Sequence, residues 1–260
     1  MSISYIITNW SSFTDWCNKN QGILSIYLFC LTLFLGWITG FFSSLMRKPK
    51  FRIRTIEGPT FVCVFGTGRE HQGYDVHRTG VALYLAIANV GSAPASIIDV
   101  EVGYRWAVAP FNKLWWKHHL FRFWLRKQSI SLEDFQVSLG DEHTKYYPFL
   151  TQKSHISGQA IDNHLDVGRS TNGVVYFEQE DSFGACFPVS FNLQTKLKVR
   201  VIDSFGKSHS VIIQVPRVTL MEARKYNPSF GRTLSTLRSE DEPIELPFDE
   251  HGNLIPPTIR

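Results

Sequence analysis

The chain has 260 residues, a formal charge of +4, 19% charged side chains and 43% hydrophobic ones. That length suits one membrane anchor plus one domain of ordinary size, and the charge is too small for composition alone to indicate a nucleic-acid binder. Cys17, Cys30, Cys63 and Cys186 lack both CxxC spacing and a histidine partner at zinc-site spacing, so neither a disulfide framework nor a metal site is expected and the four read as small hydrophobes.

Residues 1–21 carry one acid, Asp15, and one base, Lys19. No charge follows until Arg47, and about 20 apolar residues at about 1.5 Å each cross a hydrocarbon core roughly 30 Å thick. The sequence therefore predicts a transmembrane helix over 22–46. Arg47, Lys48, Lys50, Arg52 and Arg54 stand on its exit side against Lys19 alone. Bases beside a span stay in the cytoplasm, so residues 1–21 are expected outside a cell (inner or plasma) membrane and the C-terminal domain inside. A cleaved signal peptide is not expected, because the charged leading region is missing and the apolar run is too long. On a helical wheel Ser25, Thr32, Gly36, Thr39, Gly40 and Ser43 share one face. Such small side chains let helix backbones approach closely, which predicts association with a second copy or with another membrane protein.

After Pro49 the apolar residues alternate. Strands are predicted at Phe51–Ile56, Phe61–Phe65, Val81–Ala88 and Ala95–Trp106, with residues 66–80 as a loop. Later strands are predicted at Phe135–Leu139, Lys145–Leu150, Gly173–Glu178 and Phe187–Leu193. A final hairpin joins Lys196–Ile202 to Ser210–Val215 across Asp203-Ser204-Phe205-Gly206-Lys207. Eight or nine short strands separated by turn residues predict an all-β, antiparallel sandwich over 47–217. The stretch Leu83–Val102, with Asn89-Val90-Gly91 between its strands, resembles the strand–Asn-x-Gly–strand unit of immunoglobulin-like modules. The Asp-x-x-Gly hairpin is similar to the closing pair of bacterial immunoglobulin-like domains. The resemblance implies an immunoglobulin-like fold, a scaffold that hosts many functions.

Residues 112–128 break the strand pattern with five Lys/Arg, two His, three Trp, two Phe and no acid. Three readings compete for this aromatic-basic insert. It would sit at a membrane interface, its bases meeting anionic lipid headgroups; it would stack and bind nucleic acid; or its aromatics would cover an open end of the sandwich. The tether favours the first, and no nucleic acid is expected. The residues expected at the membrane surface are Arg47, Lys48, Lys50, Trp115, Trp116, Lys117, Arg122, Trp124, Arg126 and Lys127.

No phosphate loop, HExxH, GxSxG or ordered Ser/His/Asp set is present, and Asp162, His164 and Asp166 alternate without a metal-site partner. No cofactor and no catalysis are expected. Residues 218–260, with six prolines from Pro216 onward, predict an extended or disordered tail. Thr219–Lys225 would add a short helix, and Ile244–Phe248 could dock on a partner's sheet edge. The composite expectation is a membrane-anchored interaction or scaffold protein. The alternative is a membrane-acting effector or oligomeric channel-like assembly whose β domain senses a partner.

Overall fold

The computed structural model describes residues 15–41, 47–139, 143–152, 162–232, 243–249, 252 and 254–255. Its chain divides into two units, Met1–Lys48 and Pro49–Arg260. In the first, a helical turn at 15–19 leads into α1 (Gln21–Ile38), whose 18 residues leave no side chain buried. At 1.5 Å per residue α1 is about 27 Å long. Of the span expected over 22–46, α1 covers the part up to Ile38, and residues 42–46 lie outside the described residues. Gly40 has a φ of 72°, the left-handed conformation that glycine adopts at little cost just past a helix, and its N–H bonds the carbonyl of Trp37. Ser43 lies outside the described residues.

The second unit is mainly β. Its strands are β1 (Phe51–Thr55), β2 (Phe61–His71), β3 (Tyr74–Asn89), β4 (Ala95–Tyr104), β5 (Phe123–Leu125), β6 (Phe135–Ser138) and β7 (Thr144–Tyr147). They continue with β8 (His164–Leu165), β9 (Ser170–Glu178), β10 (Ser182–Phe183), β11 (Ser190–Phe191), β12 (Gln194–Asp203), β13 (Ser208–Val218) and β14 (Ile244–Glu245), with a helix α2 (Leu220–Tyr226) before the last. Twelve of these strands form one mixed sheet with the path β1-β3-β2-β13-β12-β4-β5, and β6 pairs only with β7. The expectation of purely antiparallel pairing fails at the bridge of Phe149 to Val174, which is parallel, and at one joint of the main path. β13 runs two residues past the register of β12, and its end, Arg217–Val218, pairs in parallel with Val62–Cys63 of β2.

β3 is the hub, paired with β1 and β2 along one edge and with β9 and β10 along the other. Both faces of it are covered. Val81, Leu83, Leu85 and Ile87 join a hydrophobic cluster with Val100 and Val102 of β4 and Leu197, Val199 and Val201 of β12. Ala82, one residue out of phase, joins Phe61, Cys63, Tyr176, Phe135, Leu220 and Phe230 in a second cluster on the other face. A strand with two buried faces reads as a continuous apolar run instead of an alternation.

Residues 66–80, expected as a loop, are the ends of β2 and β3. Gln72 and Gly73 both have positive φ, 53° and 80°, which is the two-residue turn that matches the twist of a hairpin. The short helix expected at Thr219–Lys225 is present as α2, and the described parts of the tail pack on the sheet. α2 begins with a capping box, Thr219 accepting from the N–H of Glu222, and buries Leu220 and Ala223. Phe230 is packed against Phe61, Phe65 and Tyr176, and β14 pairs with Phe65 and Gly66 of its own chain's β2. An apolar residue every few positions is enough to dock such a segment when a sheet face lies open beside it.

The two turns that carry the immunoglobulin-like resemblance are built by their side chains. Fully buried Asn89 donates to the carbonyls of Ala93 and Leu165 and accepts the N–H of Gly91, so the chain leaves β3 and enters β4 in a different part of the sheet. Asp203 accepts the N–H groups of Phe205 and Lys207 while Gly206 takes a φ of 76°. Its second oxygen binds His209 Nε2 at 2.8 Å, and His209 Nδ1 accepts the N–H of Phe51.

Candidate functional site

The apolar helix is followed by Pro49 and Lys50, and Lys50 is bound to one end of the β unit. Its N–H reaches Asn89 Oδ1 and its carbonyl accepts from Val90. β4 starts beside that turn and runs ten residues to Tyr104. At about 3.3 Å per residue its far end lies about 30 Å away. The aromatic-basic insert begins there. The surface residues predicted from sequence thus fall into two groups. Lys50 marks the near end, with Arg47 and Lys48 just before it in the chain. Trp115, Trp116, Lys117, Arg122, Trp124, Arg126 and Lys127 belong to the segment at the far end.

The far group is further divided by packing. A π-helical turn spans Trp115–Leu120, and β5 adds Phe123–Leu125 to the edge of β4. Buried Trp106 anchors both elements. Its ring lies 4.3 Å from that of His118 and 4.8 Å from that of Phe123, and its carbonyl is bonded by His119 Nδ1. Trp115 stacks on His119. Trp124 lies over Gly103, where a Cβ would come within 2.9 Å of the indole, and the Arg200 guanidinium sits 4.0 Å above the ring. Arg200 donates to Glu101, which Arg126 approaches at 3.9 Å. Trp124 is therefore held against the sheet, while Arg126 stays exposed at its edge. Lys127 borders a cleft with Glu178 and Asp181, where Arg78 pairs with both acids. Part of the insert does cover an end of the core, as one of the three sequence readings supposed.

The rest of it is bare. Phe111 is 83% exposed, Phe121 72% and Trp116 51%. Beside them the outer face of β12–β13 and the β11 hairpin form a groove of about 850 Å³ that sequence reasoning missed. Arg105, Arg122, Lys196 and His119 line it together with Val189, Phe191 and Ile212, and no Asp or Glu is among the lining residues. Among the described residues Arg105, Arg122 and Lys196 have no carboxylate within ion-pair distance. Burial, and then the neighbouring Arg105 guanidinium, lower the pKa of Arg122 from its usual value. Arg122 also has a φ of 65°, a strained backbone for a residue with a Cβ. Two like charges and a strained backbone at an open groove are features that proteins concentrate at binding sites.

In α1 the hydroxyls of Ser25, Thr32 and Thr39 bond back to the carbonyls of Gln21, Leu28 and Leu35. The expected stripe thus keeps Ser25, Thr32 and Gly36 on the helix, Thr39 at its end and Gly40 in the turn that stops it. Among the described residues no group of three His, Cys, Asp or Glu is placed to hold a metal. His164 meets Ser96 Oγ at 3.1 Å and Asp166 at 3.7 Å, a local loop arrangement. Set against protein-family models and curated proteins, the chain matches none of them.

Proposed function

We propose that this is a single-pass, membrane-anchored interaction protein without catalytic chemistry of its own. α1 spans the bilayer with residues 1–21 outside, and it self-associates or meets another membrane protein through Ser25, Thr32 and Gly36. The β unit lies in the cytoplasm against the inner leaflet, where Lys50 and the insert both reach anionic headgroups. We also read that unit as an immunoglobulin-like sandwich. Support for this comes from the single cluster shared by β1, β3, β9, β4, β12 and β13, and from the two turns at Asn89 and Asp203.

One observation carries the reading. An apolar helix with no buried side chain precedes a β unit whose far end sets bare aromatics beside bases that have no carboxylate partner among the described residues. Exposed rings beside cations suit the boundary between headgroups and chains, each base near an anionic surface contributes about 1 kcal/mol, and the tether holds the unit there at high effective concentration. The test is carbonate extraction of membranes together with N-terminal sequencing of the retained protein. The reading predicts an uncleaved chain that stays in the membrane and is released once residues 22–46 are deleted. A chain processed after the apolar run, or one that carbonate releases intact, would refute the anchor.

A further inference from the structure

The groove at the far end has the composition of a ligand site, and we propose that it binds a phospholipid by its phosphate. Arg105 and Arg122 grip the phosphate, Lys196 adds a third positive charge, and Phe191 and Ile212 receive the first part of the acyl chain. The inference rests on the reading that this end also faces the membrane and names the molecule it would hold.

Three features point to that chemistry. The bases converge from the end of β4, from the insert and from β12 with no acid among the lining residues, and a guanidinium is the side chain that best matches the paired oxygens of phosphate. Charge repulsion between Arg105 and Arg122 goes unrelieved within the described chain, so an anion placed between them removes a cost as well as adding bonds. Apolar side chains sit on the same groove, with Phe191 75% exposed on a turn whose residues Asn192 and Leu193 both take positive φ. A free phosphate ester would leave those rings and branches in water. The size is also suitable, since small-molecule sites span about 300–1,000 Å³.

The experiment titrates the full-length protein in nanodiscs of phosphatidylcholine with soluble probes, read by calorimetry. The probes are dihexanoyl phosphatidic acid, glycerol phosphate and inorganic phosphate. Saturable binding of the lipid is expected, at least tenfold tighter than either chainless phosphate. The double variant Arg105→Gln/Lys196→Gln, at two exposed positions whose loss spares the fold, should weaken it at least tenfold. Phe191→Ser should weaken the lipid several-fold and leave the phosphates unchanged. Equal binding of glycerol phosphate and lipid would overturn the lipid assignment, and failure of the lipid to bind, or indifference to the double variant, would overturn the site. Either failure would leave carbonate-resistant anchoring standing, and the soluble probes report on the groove wherever the unit lies relative to the bilayer.

Discussion

Single residues do two kinds of work in this chain, closing turns and compensating buried charge. Asp203 does both. It is 1% exposed, and its carboxylate accepts two backbone N–H groups and faces His209. Burial pushes its pKa up, but the His209 bond and those N–H groups outweigh burial and hold it below the ordinary range. The unfolded chain therefore takes up the proton first, and stability falls as pH falls. The contribution is complete above the unfolded carboxyl value of about 3.9 and is lost as pH drops through the lower folded value. Asp203→Asn should cost about 2 kcal/mol at neutral pH. Denaturant melts of the two proteins at successive pH values should show that difference shrinking below about pH 4; a constant difference down to strongly acid pH would remove Asp203 from the account. Glu178 is a contrasting case, buried enough that its pKa is raised despite Arg78 and the Tyr176 hydroxyl. The Asn89 and Asp203 turns were legible from sequence because side-chain oxygen, spacing and glycine all lie within a few residues of one another. The groove was not, because Arg105, Arg122, Phe191, Lys196 and Ile212 come together only when β11, β12 and β13 are laid beside the insert.

Elements were legible where one local pattern decided them. The alternations at Phe51–Ile56 and Lys196–Ile202 became β1 and β12, and the capped helix at Thr219 became α2. Three others were not, each for its own reason. The hairpin of β2 and β3 turns on Gln72, a residue that does not advertise a positive φ. The tail docks through Leu220, Ala223 and Phe230, too widely spaced to read as a buried face before the open side of the β3 layer is known. Gly40, read as a contact residue, also ends α1. That second role separates the two glycines in the association prediction. The contact should depend on Gly36, which stays helical, so Gly36→Ile should abolish self-association in a membrane two-hybrid assay while Gly40→Ala, at a position that needs positive φ, changes it little. Equal loss from both would return Gly40 to the interface, and no loss from Gly36→Ile would remove the stripe altogether.

For the molecule as a whole, the positions of the two basic groups matter more than their number. From sequence they looked like one patch, because the insert and the juxtamembrane cluster share a sign. The sheet sets Lys50 and the insert about 30 Å apart along β4, well beyond the roughly 10 Å over which exposed charges act through dilute salt. They can meet one bilayer only if the strands lie along it. The most direct test places a fluorophore on single cysteines at Val90, Phe121 and Tyr146 of the full-length protein, exposed positions at the near end, the far end and the β7 face. The protein is set in vesicles containing anionic lipid and a headgroup quencher. Quenching is predicted at positions 90 and 121 but not at 146, with the signal at 121 lost at high salt or in purely zwitterionic lipid. Quenching at 90 alone, with 121 as bright as 146 in anionic vesicles, would mean that the unit stands away from the membrane and would contradict the account.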